Sequence, residues 1–415
     1  MKDQEICVAY ATDSNYIVPT CVSIFSLLRN CNPDYTYCIN VMIPYQIEQG
    51  ERNLIEKVCS LYENCRCNII VISNEQVNIE TTIHHITTTT YYRLLLHNCI
   101  PDFDKCIWLD SDTVVCADIS ELNNLELGDN YLAGVKAPGY RIDPDYHCRR
   151  LGLSSIEGYI NAGVLVMNLR KLRDDDMENT FIDLATNKYE SQDQDVLNIA
   201  CYGKISLLHF RFNFQPFRVF DADEYILEVF PINEIASSYN SPAIVHFLDS
   251  VKPWQDRTYD FNDFWRNYYI DLVRILPDIS GFSAVNENPV AEICRCSQID
   301  FIKELVFYGA GARCKEMLRF FRFSGTKDPD EIWDINYDKI SEVDGIRVVA
   351  PRFDDGLKRF DDLSLIICID DKGIAEEIAR LGKDAGIKDI LYSKEIKRVL
   401  WSKLLADSLD MNGTN

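Results

Sequence analysis

No apolar stretch of this 415-residue chain approaches the ~20 residues that cross a bilayer as a helix, so the sequence predicts no membrane span. No secretory leader is expected either. Met1-Lys2-Asp3-Gln4-Glu5-Ile6 runs straight into a strand-like segment, which predicts a soluble, cytoplasmic protein. Positive charge is scarce: Lys and Arg number 42 against 65 Asp and Glu, a formal net charge of -23. That balance argues against nucleic acid, whose phosphates it repels, and against electrostatic docking on an anionic membrane. A phosphate-bearing ligand would need local cations or a metal to offset the field. Histidine is sparse, at 6 residues. Cysteine is not, at 16, but it lacks the C-x₂-C spacing of common zinc sites. Cys65-Arg66-Cys67 and Cys294-Arg295-Cys296 are C-x-C pairs, while Cys7, Cys21, Cys38, Cys106 and Cys201 lie in apolar segments. They are read as reduced thiols packing as small hydrophobes. No solenoid-type repeat or low-complexity tract is present.

What is there reads as two α/β domains, in a chain too long for one core and of ordinary globular composition, 47% hydrophobic and 11% aromatic. Ile6–Tyr10, Tyr37–Ile43 and Cys67–Ile72 read as strands separated by helical stretches Val18–Leu28 and Gln46–Leu61. This βαβαβ order predicts a parallel sheet with right-handed crossovers. A fourth strand ends at Asp110. Beyond it, strands are expected at Tyr131–Val135, Val164–Met167 and Ala243–Phe247, and helices at Met177–Tyr189, Gln192–Cys201 and Asp260–Ile275. Phe210–Phe220 reads as an aromatic loop. A polar stretch follows, so residues 1–276 are assigned to a first domain, 277–298 to a linker and 299–415 to a smaller α/β domain.

The chemistry centres on Cys106-Ile107-Trp108-Leu109-Asp110-Ser111-Asp112-Thr113, an apolar strand that stops on two carboxylates. Ligands of open α/β sheets sit outside the carboxyl ends of strands, and paired carboxylate oxygens suit Mg²⁺ or Mn²⁺ with open positions for phosphates. The first strand ends Asp13-Ser14-Asn15-Tyr16, polar groups that either meet a base or ribose or cap the next helix. Arg93, in Thr90-Tyr91-Tyr92-Arg93-Leu94, either pairs with an anion or snorkels to solvent. In Asn161-Ala162-Gly163-Val164 the small residues let a ligand approach the backbone, or simply make a tight turn. Gln192-Asp193-Gln194-Asp195 clusters polar groups at a helix start, more of them than capping requires. His246 and Lys252 flank a strand end, offering a nitrogen ligand beside the two aspartates and a charge for phosphate.

These six segments, in this order over residues 5 to 270, resemble the family-8 retaining glycosyltransferases, most closely the bacterial lipopolysaccharide galactosyl- and glucosyltransferases. The resemblance implies a nucleotide-diphospho-sugar transferase fold of the A type, a mixed sheet flanked by helices. It also implies UDP-glucose or UDP-galactose as donor, a glycan or glycoprotein acceptor, and Mn²⁺ (or Mg²⁺) as cofactor. Carried over by position, Asp110, Asp112 and His246 would bind the metal and Lys252 the diphosphate. Asp13 and Asn15 would meet uracil or ribose, and Arg93, Asn161, Ala162 and Asp193 the donor sugar. Gln194 would face the β side of the sugar, supported by Asp195. An amide is a weak nucleophile, so retention is expected through front-face attack by the acceptor hydroxyl rather than through a glycosyl-enzyme.

Two positions depart from the family pattern. Asp249 stands where relatives carry a glycine that brings a backbone N–H to the diphosphate. Val135-Lys136-Ala137-Pro138 replaces a segment that carries an acceptor-binding acid, so the acceptor contacts do not transfer. The C-terminal part holds Tyr308-Gly309-Ala310-Gly311-Ala312-Arg313-Cys314, similar to the first turn of a Rossmann-like fold, with Asp334 where a ribose-binding acid would fall. It is expected to bind a nucleotide, or to serve as an interaction domain for a partner or a second copy. The readings competing with a transferase are a non-catalytic UDP-sugar-binding protein and a bifunctional enzyme with a second nucleotide-sugar site.

Overall fold

The computed structural model describes residues 4–73, 88–141, 143–187, 189–216, 225–248, 252–255, 262–282, 304–353, 360, 363–393, 396–397 and 400. The chain divides near residue 291 into two compact units. In the first, strand β1 (Gln4–Ala11) is apolar on both faces and buried from Ile6 to Tyr10, as a strand covered by helices on two sides must be. The helix Ile17–Arg29 follows it and is buried from Ile17 to Leu28. Strand β2 (Tyr35–Pro44), the helix Gln49–Cys59 and strand β3 (Cys65–Ile72) complete the alternation. That second helix starts on a capping box between Glu48 and Glu51.

Strand β4 (Cys106–Leu109) pairs parallel with β1, and beyond it the sheet is mixed. Strand β7 (Ile160–Met167) runs antiparallel to β4 and to β6 (Leu132–Lys136), and β8 (Ile205–Leu207) closes the edge. The resulting seven-stranded sheet has the order β3-β2-β1-β4-β7-β6-β8. After Asp110-Ser111-Asp112 the chain leaves this sheet. Thr113–Val115 forms β5, which pairs antiparallel with β9 (Ile244–His246) in a separate two-stranded ribbon. Its register sets Thr113 opposite His246, so the histidine is delivered beside the carboxylates by a pairing across more than a hundred residues.

The second unit has a six-stranded sheet formed by β10 (Glu304–Tyr308), β11 (Glu331–Trp333), β12 (Glu342–Val343), β13 (Ile346–Val349), β14 (Leu363–Ile367) and β15 (Asp389–Tyr392). Its order is β12-β13-β11-β10-β14-β15, all parallel but for the β12–β13 hairpin. A core of Val306, Trp333, Leu365, Ile367 and Ile378 packs one face.

Several boundaries differ from the sequence reading. The helix from Met177 ends at Ala185, the expected loop at Phe210 opens with a short 3-10 helix to Asn213, and the helix Pro144–Leu151 was not anticipated. The hairpin β12–β13 and strands β8 and β15 were missed as well, each too short or too exposed to show periodicity. All described cysteines are free thiols. Among the described residues no helix is long and apolar enough to cross a membrane.

Side chains of Gln194 and Asn198 both tie the helix Gln192–Ala200 to β7. Buried Asn198 accepts from Ile160 N (2.8 Å) and donates to Ile160 O (2.9 Å) and Gln194 O (2.8 Å). Replacing it leaves a buried strand N–H and C=O unmet. Asn198→Leu should therefore cost about 1–3 kcal/mol, read as a lower unfolding midpoint in urea.

Candidate active site

The carboxyl ends of β4 and β7 and the start of the helix Gln192–Ala200 enclose a cavity of about 350 Å³. Four carboxylates line it, from Asp110, Asp112, Glu190 and Asp193, against one guanidinium, that of Arg93. Each of the two strand-end aspartates is held by one oxygen and presents the other. Asp110 Oδ1 accepts from Arg93 Nη2 (2.8 Å) and Trp108 Nε1 (2.9 Å), leaving Oδ2 3.9 Å from His246 Nε2. Asp112 Oδ2 accepts from Lys252 Nζ (2.8 Å), while Oδ1 lies 3.2 Å from the same Nε2. Burial alone would raise the Asp112 carboxyl, but the Lys252 ammonium and His246 outweigh it and hold it well below the usual carboxylate range.

The histidine tautomer follows from a chain of amides. Asn213 Nδ2 donates to Asn161 Oδ1 (2.8 Å), so Asn213 Oδ1 faces His246 Nδ1 at 2.9 Å and takes its proton as a hydrogen bond. Nε2 is then the ring nitrogen that faces the two carboxylates. Ligand atoms of Asp110, Asp112 and His246 all lie within 4.8 Å of one another. Two hard oxygens and one imidazole nitrogen are a donor set that fits Mn²⁺ or Mg²⁺.

Arg93 is buried (4% exposed), not snorkelling. It bridges Asp110 and Asp193 (Nε to Oδ2, 2.9 Å), donates to Ala162 O, and lies 4.9 Å from the Trp108 ring centre. Those charges outweigh the cost of burial and keep the guanidinium firmly protonated. Thr90 Oγ1 completes the cradle of Asp193 at 2.6 Å. Losing Arg93 would strand two carboxylates, a penalty of about 3–5 kcal/mol.

On the opposite wall, Gln194 Oε1 accepts from Asn161 Nδ2 (3.0 Å) and Ala162 N (3.1 Å), and its Nε2 donates to Tyr159 OH (3.2 Å). Asp195 is fully buried and accepts from Tyr159 OH (2.6 Å), Tyr140 OH (2.9 Å), Arg150 Nη1 (2.9 Å) and Ser191 N (2.9 Å). Burial and the Asp195 charge push Tyr140 up to about 12, and burial with the neighbouring Tyr140 and Asp195 raises Tyr159 well above its ordinary value, so both remain donors. Tyr140, Tyr159, Arg150 and Asn213 were not anticipated. Each lies far in sequence from the group it holds, and no local spacing marks it. Gln192, at the head of this helix, has φ +45°, a strained conformation for a side-chain-bearing residue that costs about 1–3 kcal/mol.

The structure brings ten of the twelve predicted residues to one place: eight line the cavity, Lys252 reaches it through Asp112, and Asp195 stands behind its wall through Tyr140 and Tyr159. Asp13 and Asn15 do not line the cavity. Asp13 Oδ1 accepts from Asn15 N (2.9 Å) in a local turn, and the alternative reading, a cap on the next helix, is not met either, because that helix starts after Tyr16 with no side-chain cap hydrogen bond. They lie at the same sheet edge, since Tyr16, raised chiefly by burial, also feels the charges of Asp112, Asp13 and Asp110. Asp249 lies outside the described residues.

A family model described as glycosyl transferase family 8 matches residues 7–258, more than half of the chain. The chain belongs to glycosyl transferase family 8. A Haemophilus influenzae protein, named only as a glycosyltransferase, is 30% identical over 218 residues, covering 51% of this chain and 64% of its own length. Glycosyltransferase GlyE of Streptococcus pneumoniae is 28% identical over 264 residues, 61% of this chain and 58% of GlyE. The chain thus spans less than two thirds of either relative. A crystal structure of the galactosyltransferase LgtC with donor and acceptor sugar analogs superposes with a TM-score of 0.56 at 26% identity, covering 67% of this chain and all of LgtC. The first unit of this family-8 chain accordingly has the A-type nucleotide-diphospho-sugar transferase fold, and its triad falls at the sheet edge expected from the motifs.

Within the family motif Asn161-Ala162-Gly163, the glycine has a steric duty. A Cβ on Gly163 would lie 2.6 Å from His246 Nδ1 and 2.8 Å from Nε2. Gly163→Ala should push the imidazole away from the aspartates and weaken Mn²⁺ binding at least about tenfold in a calorimetric titration, with the circular dichroism spectrum unchanged.

Proposed function

We propose that the first unit is a metal-dependent retaining hexosyltransferase that moves glucose or galactose from a UDP-sugar to a glycan or glycoprotein acceptor. The observation that carries this reading is the Asp110–Asp112–His246 triad, its imidazole tautomer set by Asn213, at the mouth of a cavity walled by Asp193 and Gln194. Mn²⁺ held by that triad would supply Lewis acidity to shield the charge developing on the departing diphosphate. Lys252, already at the triad through Asp112, is within reach to add a second positive charge there. Family membership and the LgtC fold support a nucleotide-sugar donor.

The side chains also bear on how configuration is retained. Asp195 has no exposed surface and four donors, so it is a positioning residue rather than a nucleophile. The Gln194 carbonyl already accepts two hydrogen bonds, which lowers its nucleophilicity further. Asp193 is locked between Arg93 and Thr90. Front-face substitution needs none of them to attack. The acceptor oxygen forms the new anomeric bond on the face from which UDP leaves, the old C–O bond breaks, and the hydroxyl proton passes to the leaving phosphate.

A panel of UDP-sugars, read as UDP release with Mn²⁺ and with EDTA, tests the reading. One hexose donor should turn over with Mn²⁺ and fall to background with EDTA, and Asp112→Asn should lose at least about 10²-fold in kcat. Binding of donors with no turnover would instead identify a non-catalytic UDP-sugar-binding protein. For Gln194→Ala, turnover should fall without vanishing, and mass spectrometry of the wild type under single turnover should find no glycosyl adduct on Gln194 or Asp195.

A further inference from the structure

We propose that Gln192 reads the transferred sugar, its side-chain amide hydrogen-bonding neighbouring hydroxyls of the hexose. This rests on the UDP-hexose reading above. Among the described residues Gln192 is one of three non-glycine positions with positive φ, and the other two are aspartates, which tolerate that region better. It is 2% exposed, and both its Nε2 and its Oε1 are buried with no hydrogen-bond partner among the described residues. Asp193, Gln194 and Asp195, which follow it, are each tied to two or more partners. The polar group left unmatched at this helix start is therefore Gln192, and it lines the cavity shared by the metal triad and Asp193.

The chemistry of the orphan names the ligand class. A primary amide offers a donor and an acceptor side by side. A phosphate has no proton to give its oxygen at neutral pH, and a metal ion has no acceptor for its N–H. A pair of adjacent sugar hydroxyls satisfies both atoms. A buried polar group that waits for a ligand hydroxyl discriminates strongly against a ligand that presents the hydroxyl elsewhere. Glucose and galactose differ at one such hydroxyl, so the residue is placed to select between them.

The test is calorimetric titration of the full chain with Mn²⁺ and, in turn, UDP, UDP-glucose and UDP-galactose, for the wild type and for Gln192→Met. The variant should bind UDP as the wild type does, bind the preferred UDP-hexose about tenfold more weakly, and lose most of the preference between the two hexoses. Its melting temperature should be unchanged or higher, because methionine fills the same space with no amide to satisfy. Gln192→Asn, which suits the same backbone conformation but sets the amide back by one methylene, should shift donor preference in the same direction. Unchanged hexose affinities and preference, or a lower melting temperature with both hexoses and UDP weakened alike, would overturn the proposal and leave Gln192 a structural residue. A wild type that does not bind UDP would sink the donor reading itself, whereas UDP binding with an unaltered hexose preference in both variants sinks only the role of Gln192.

Discussion

Everything at the sheet edge is arranged around the repulsion among Asp110, Asp112 and Asp193, three carboxylates gathered in a partly buried cavity of an already acidic chain. Such a cluster survives only if cations and donors are built in beside it. Arg93 answers for two of the carboxylates, Lys252 for the third, and the Trp108 and Thr90 side chains supply the remaining contacts. The oxygens that stay uncommitted, one from each strand-end aspartate, converge on His246. A divalent cation held there would complete that balance of charge.

A second layer of polar order keeps this electrostatic arrangement in place. From His246 the hydrogen bonds run through Asn213, Asn161 and Gln194 to Tyr159 and then Asp195, where Tyr140 and Arg150 close the chain. Each amide in it has its donor and acceptor sides assigned by its neighbours, so the metal-facing nitrogen of the imidazole is set from more than one residue away. Gln192 is the exception in that order, and the exception faces the cavity.

The second unit shows how a motif can be spent internally. Asp334 follows β11 where a ribose-binding acid is expected, but its Oδ2 accepts from Ala310 N (2.7 Å) in the glycine-containing turn and its Oδ1 from Asn336 N (2.7 Å). Gly309 has φ +99°, and a Cβ there would come 3.0 Å from Cys368 O, so the turn takes no larger residue at that position. The carboxylate thus braces the turn that a nucleotide would have to enter, and this favours a scaffold over a second donor site.

The βαβαβ start, the strand ending at Asp110 and the clustering of polar residues at Gln192–Asp195 were legible in the sequence because each depends on local periodicity or on a strand end. That Asp110, Asp112 and His246 would stand together was legible through ordered motifs alone. The tertiary structure decided how those groups act. The β5–β9 register sets His246 opposite Thr113, and Gly163 leaves room for its ring. Burial decided between the two readings of Arg93 in favour of the anion pair, as a bridge between two carboxylates, and it drew Tyr140, Tyr159, Arg150 and Asn213 into the site from unmarked segments. Local sequence determines which groups stand at strand ends. Their charge state, tautomer and partners depend on residues a hundred positions away, and only packing brings those together.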